Sequence, residues 1–154
     1  MTKAKAVRGW HVSVRYMEGT QGLYEFGGYG PPEPAWRVGE ERQIHMEPGQ
    51  RPRLCAKGYH AWLNKSHAAS HARYLAQTQE QKTIVVRYVE VSGYPRHDGS
   101  KVVGRRRKVL AERVYDTSEL DDKGALIGEL VELARKSDTI LDIVSEQEQQ
   151  SKLR

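Results

Sequence analysis

Between Trp10 and Met17 apolar and polar residues alternate, with Trp10, Val12, Val14 and Tyr16 set against His11, Ser13 and Arg15. Side chains two apart share one face of a strand, so this pattern predicts a half-buried strand over Trp10–Met17. Thr83–Ser92 reads Ile-Val-Val-Arg-Tyr-Val-Glu-Val after its first residue, a β-branched density that predicts a central strand covered on at least one face. Gly93–Ser100 then reads as a hairpin loop, and Lys101–Tyr115 as the returning strand. On that strand Arg105 and Arg107 would point to one face, Arg106 and Lys108 to the other. Trp36–Gly39 and Glu41–His45 are read as two short strands.

Two segments change period. Ala68, Ala72 and Leu75 fall at i, i+4, i+7, with Ala69 and Ala76 beside them, which predicts a helix over Asn64–Thr78 whose small-residue face packs closely on a sheet. Asn64 is suited to the N-cap, where its short side-chain oxygen accepts from first-turn amides. Leu126, Leu130, Leu133, Ile140 and Val144 form a second stripe, interrupted where Ser137 takes an apolar position. Ser137-Asp138 could be a break followed by a new N-cap, so the segment is read as one or two helices. Asp116 or Ser118 would cap the start, with Glu119, Asp121 and Asp122 at the positive end of the helix dipole. The resulting fold class is α+β: a mainly antiparallel sheet, one packed helix and a C-terminal helical segment. The domain is placed at 8–116, the helical segment at 117–145, and a frayed tail at 146–154.

Glu18–Pro34 holds five glycines and the run Pro31-Pro32-Glu33-Pro34, and is read as a long surface loop. Its Gly27-Gly28-Tyr29-Gly30 lacks the spacing of a dinucleotide fingerprint and the Lys-Ser/Thr of a P-loop.

Composition narrows the classes. The chain has 154 residues, 38% of them apolar, which suits one domain with a modest core. A single cysteine excludes an intrachain disulfide and a zinc ribbon. No apolar run approaches about 18 residues and no signal-peptide core follows Met1, so a reduced, soluble, cytoplasmic protein is expected. The net charge of +5 permits contact with phosphates or acidic surfaces.

Candidate chemistry concentrates in two places. Cys55–Trp62 gathers the one cysteine, Tyr59, His60 and Trp62 around Gly58, directly before the predicted helix. Cys55 and His60 could form a thiolate–imidazole pair, although a lone cysteine is more often a small buried apolar residue. Together with His11 and Arg15 of the first strand, these residues make a candidate pocket. His67 and His71 stand at i, i+4 and could reach one metal, with His60 upstream, but the general-base glutamate of a zincin is absent. No metal is expected. The second place is Arg105-Arg106-Arg107-Lys108, with Arg113, Arg96, His97 and Lys101 near it in the predicted hairpin. Guanidinium forks suit phosphate; a charged edge strand protected from aggregation is the plainer alternative. Aromatic residues are thinly interleaved there, which does not support a stacking platform.

The succession Val38-Gly39-Glu40, Cys55-x-x-Gly58-Tyr59-His60-Ala61, Val89-Glu90-Val91-Ser92-Gly93, Lys101-Val102-Val103 and Leu110-Ala111-Glu112 resembles a small domain family encoded largely by phages and prophages, over roughly residues 8–115. That family has no assigned biochemical function. The resemblance implies a phage context and an α+β domain, and it transfers no catalytic residue. A more distant resemblance, carried by His11 and Arg15 on a strand and by Gly58-Tyr59-His60 before a helix at Asn64-Lys65-Ser66, is to ADP-ribosyltransferase-like domains. It implies a nicotinamide dinucleotide held by the early polar residue and the tyrosine turn, with Glu90 or Glu112 as the catalytic glutamate, though neither sits in the usual motif. The expectation is a non-enzymatic phage-type accessory protein without a cofactor, acting in the host cytoplasm. It would bind a host or phage macromolecule through the basic hairpin, the apolar helix stripe, or both. The alternatives are an ADP-ribosyltransferase-like NAD-binding enzyme and a nucleic-acid-binding protein. The stripe also offers a homodimer seam, and no membrane partner is expected.

Overall fold

The computed structural model describes residues 6–28, 31–52, 58–78 and 83–152. Its elements are β1 (Val7–Met17), β2 (Leu23–Phe26), β3 (Glu33–Pro34), β4 (Glu41–Gln43), β5 (Tyr59–Trp62), α1 (Lys65–Thr78), β6 (Thr83–Ser92), β7 (Arg96–Asp98), β8 (Lys101–Gly104), β9 (Arg106–Asp116), a 3₁₀ turn at Thr117–Leu120, and α2 (Lys123–Lys152). The class is α+β, and every described strand pairing is antiparallel. The order is β4-β9-β6-β1-β5-β8-β7, with β2 on β1 and β3 on β2.

The sheet forks at β1. One edge of β1 pairs with β6 without interruption from Val7 to Arg15. The opposite edge is shared. Trp10 pairs with Trp62 of β5, while Val14–Met17 pairs with β2. Between these contacts no described strand pairs with His11–Ser13 on that edge.

Alternation on β1 and β6 sends Val12, Val14, Ile84 and Val86 to one face. There they meet Ala68, Ala69, Ala72 and Leu75 of α1, Leu126 and Leu130 of α2, and Tyr115. The alanines keep α1 close to the sheet, as their spacing predicts. Asn64 caps the helix, its Oδ1 accepting from the amides of Ser66 and His67 at 2.8 and 3.2 Å. The opposite face carries a second core of Trp36, Ala61, Val89, Val91, Val102 and Val109.

Several expectations are corrected. Lys101–Tyr115 is two strands rather than one. Gly104 lies so close to Val91 and the Ser92 carbonyl that a Cβ would stand 2.5–2.6 Å from them, and the chain bends there. Arg105 completes the bend, its N–H donating to Gly93 O and its carbonyl accepting from Ile44 N–H. Consequently β8 joins β5 and β7, whereas β9 joins β6 and β4. The ladder also skips Leu110, since Tyr88 pairs with Ala111 and Val89 with Val109. One extra residue reverses the alternation of β9, so Arg107 and Val109 share a face with Glu112. Trp36–Gly39 is not a strand; Gly39 has φ +89° in a turn, and only Glu41–Gln43 pairs. The long loop from Glu18 contains β2 and β3. The break at Ser137 is absent, because Ser137 is buried and Asp138 is tied to Arg8 at 2.6 Å and to the Tyr88 hydroxyl at 3.1 Å. The expected frayed tail continues the same helix to Lys152, its Glu, Gln and Lys being good helix formers. No helix among the described residues is long and apolar enough to cross a membrane.

Candidate functional site

The unpaired edge at His11–Ser13 opens a cavity of about 370 Å³ between β2 and β5. β1 supplies His11 and Ser13, β2 supplies Glu25, and β5 supplies Tyr59, His60 and Trp62. His71 of α1, Lys101 of β8, Arg107 of β9 and the segment Pro31–Glu33 close it. Segments distant in sequence therefore meet at one gap in a sheet.

The floor is an ion-pair network. Arg87 is 1% exposed and Glu25 2%, and two Arg87 N–H groups donate to the Glu25 carboxylate at 2.7 and 2.6 Å. Arg87 also donates to the Trp36 carbonyl at 3.0 Å and to Glu112 at 3.1 Å. Glu25 further accepts from Trp36 N–H at 3.1 Å and from Arg15 at 3.3 Å. A buried charge of this kind persists only because its donors and acceptors are matched.

Arg107 forms one wall. Its guanidinium lies 4.5 Å from the Trp36 ring centre and 4.9 Å from that of Tyr59, and donates to the His60 carbonyl at 3.1 Å. Burial pulls it down to about 10, which leaves it a cation at neutral pH. Across the cavity, Lys101 Nζ stands 4.4 Å from the centre of the Trp62 ring.

Burial favours the neutral form of all three cavity histidines. Burial, and then the positive charges of Arg107 and Arg87, hold His11 well below its ordinary value. Burial with Lys101 and Arg107 lowers His60. His71 is lowered by burial, against an opposing hydrogen bond in which its Nε2 donates to Gly27 O at 2.9 Å. His11 differs from the other two in one respect: its Nδ1 is sealed from solvent and has no hydrogen-bond partner among the described residues. Such an atom costs roughly 1–3 kcal/mol, and it belongs to a cavity-lining side chain.

A second hollow of about 430 Å³ adjoins the first, sharing Trp62 and His71 and adding Gly28, His67, Tyr74 and Ser100. Its aromatic side is continuous. His71 stacks on Tyr74 with centres 6.3 Å apart and also packs on Trp62 at 5.5 Å.

Of the sequence-predicted pocket, His11, Tyr59, His60 and Trp62 are brought together. Arg15 lies behind Glu25, bound also to Glu112 at 3.8 Å, and is not on the cavity wall. Cys55 falls outside the described residues. His67 and His71 both pack on Trp62. Among the described residues no group of three or more His, Cys, Asp or Glu is placed to hold a metal. The basic run does not form one surface: Arg107 is buried, Arg105 half-buried, and Arg106 and Lys108 exposed. Arg113 is exposed and bound to Glu129 of α2 at 3.1 Å. Sequence reasoning missed Glu25, Glu33 and Trp36, which lay in or beside the presumed loop; a polar Glu25 between Tyr24 and Phe26 was the available signal.

The histidines give the site a pH signature. All three are displaced downward from 6.5, so the unfolded chain takes up protons more readily than the folded one. Their contribution to stability is complete above that value and is lost as pH falls below it. In thermal unfolding from neutral to about pH 5, His11→Asn should lose less stability with acid than the parent chain. Superimposable slopes would refute the assignment of His11 as a suppressed base.

No protein-family model, curated protein or solved structure matches the chain.

Proposed function

We propose that this is a non-enzymatic ligand-binding protein whose forked-sheet cavity takes a small anionic molecule with a hydroxylated sugar and a planar ring, of the nucleotide class. The observation that carries this reading is the convergence of Arg107, Lys101, Trp62 and three histidines on one cavity. The imidazoles and the Ser13 hydroxyl on the wall can hydrogen-bond a sugar hydroxyl, which can both donate and accept. Arg107 and Lys101 supply positive potential for an anionic group, in surroundings where charge is weakly screened. Trp62, His71 and Tyr74 supply ring faces.

Thermal unfolding with AMP, NAD or inorganic phosphate tests it. AMP or NAD should raise the melting temperature, since a ligand at a hundred times its Kd adds about 2.7 kcal/mol, roughly 5–10 °C here. His11→Ala should remove most of the shift. No shift with either nucleotide at about millimolar concentration, well above common nucleotide Kd values, would overturn the proposal.

A second reading, an ADP-ribosyltransferase-like enzyme, is favoured by one observation: His11, Tyr59 and His60, which carry that resemblance, line the same cavity. Its glutamate is the difficulty. Glu90 pairs with Arg8 at 3.2 Å, and Glu112 is engaged by Arg87 and Arg15; neither lines the cavity. Stabilisation by NAD without nicotinamide release supports a binding protein, whereas release supports the enzyme. The accessory reading through the helix stripe has its own support in Ile140, Ile143 and Val144, which are exposed on α2.

A further inference from the structure

We infer that the corner built from Arg51, Tyr94, Arg105 and Arg106 is a contact surface for single-stranded nucleic acid, separate from the cavity. The turn after β6 brings these residues together. Tyr94 has φ +55°, the one non-glycine residue with positive φ among those described, and the residue is 59% exposed. Left-handed backbone is unfavourable for a residue with a Cβ. Here it holds a large aromatic ring out in solvent.

One cation lies against the ring, and two more lie at the glycine before it. The Arg51 guanidinium lies 4.7 Å from its centre. Gly93, the neighbouring residue, accepts from the Arg105 N–H, and a Cβ on it would stand 3.4 Å from Arg106 Nε. None of Arg51, Arg105 and Arg106 has a carboxylate partner among the described residues. Arg51 donates to the Gln50 carbonyl and Arg105 to that of Ile44, which leaves their positive charge uncompensated. In the ladder Arg106 is flanked by Gln43 and Ser92. Lys108, by contrast, is flanked by Glu41 and Glu90 and is not part of the surface.

Charge alone would suit any polyanion. The exposed ring decides between them, because every base offers a face for stacking while an acidic polypeptide does not. The sequence lacked aromatic residues inside its basic run. The turn supplies one from outside it.

The test is fluorescence anisotropy of the full chain with a labelled single-stranded oligonucleotide of about a dozen nucleotides, across a salt series. Binding should weaken with salt, and Arg51→Gln and Arg106→Gln should each lower the logarithmic salt slope by about 0.7. Tyr94→Gly should weaken binding on the order of tenfold with an unchanged slope. Its melting temperature should hold or rise, because glycine accepts this φ without strain. The inference is overturned by absence of binding, by parental affinity in Tyr94→Gly, or by polyglutamate competing as well as the oligonucleotide. It is also overturned if AMP displaces the oligonucleotide and His11→Ala abolishes binding, which would place the strand in the cavity. Failure of the nucleotide thermal-shift experiment leaves these outcomes unaffected.

Discussion

Glu25→Leu should destabilise this protein by about 3 kcal/mol or more, the largest loss expected from any single change around the site. The leucine is close in size and apolar, so packing is nearly kept. What is lost is the anion bonded twice to Arg87 in a place where both side chains are shielded from water. Removing one partner of a buried pair typically costs about 3–5 kcal/mol, because the remaining charge is left uncompensated. The lower end applies here, since Arg87 keeps Glu112 at 3.1 Å and the Trp36 carbonyl at 3.0 Å. For a chain of this length the melting temperature should fall by roughly 6–12 °C. The double replacement Glu25→Leu with Arg87→Met should recover much of the loss, because two matched apolar residues often replace a buried ion pair at little cost. A double variant less stable than Glu25→Leu alone would refute this account. Thermal and urea unfolding measure both.

The second large effect is expected at Gly9. A Cβ there would run into the Trp62 carbonyl oxygen and lie 3.3 Å from the Ala61 Cβ. The obstacle is backbone, so it cannot swing aside as a flexible side chain would. Gly9→Ala must push β5 away from β1 at Trp10 and Trp62, the one described ladder pair that joins them. Overpacking of this kind costs about 1–3 kcal/mol. Since β5 carries Tyr59, His60 and Trp62, nucleotide-induced stabilisation should fall together with the melting temperature. Gly128→Ala is the control. That residue sits in α2 with open space around its Cβ position, and the change should stabilise by up to about 1 kcal/mol. If Gly9→Ala retains both stability and the ligand response, the fork is not held at this point.

These two positions also indicate how far the sequence could be read. Gly9 precedes an alternating run without disturbing it, and nothing local announces that another strand's carbonyl lies against its Cα. Arg87 interrupts an apolar strand, which signals a buried polar group, but its partner Glu25 lay in a segment dominated by glycine and proline. The strand over Thr83–Ser92, the helix behind Asn64 and the alternation of β1 were legible, because each is set by neighbours within a few residues. His11, Tyr59, His60 and Trp62 were legible as candidates by residue type alone. Lys101 and Arg107 fall in the predicted basic hairpin; the bend at Arg105 sends β8 to β5, which brings Lys101 to the cavity, while Arg107 stays on β9 and faces inward.

The sequence by itself determined the α+β class, the central β6, the capped α1 and the apolar beginning of α2, since periodicity and capping act over one or two turns of chain. Only the tertiary structure decided that β1 shares one edge between β2 and β5, that a cavity opens at the unshared stretch, and that the Gly93-Tyr94 turn meets arginines from two other segments. Those arrangements depend on ladder partners distant along the chain, on a bulge that reverses alternation, and on glycines whose missing Cβ matters only once another backbone lies beside them.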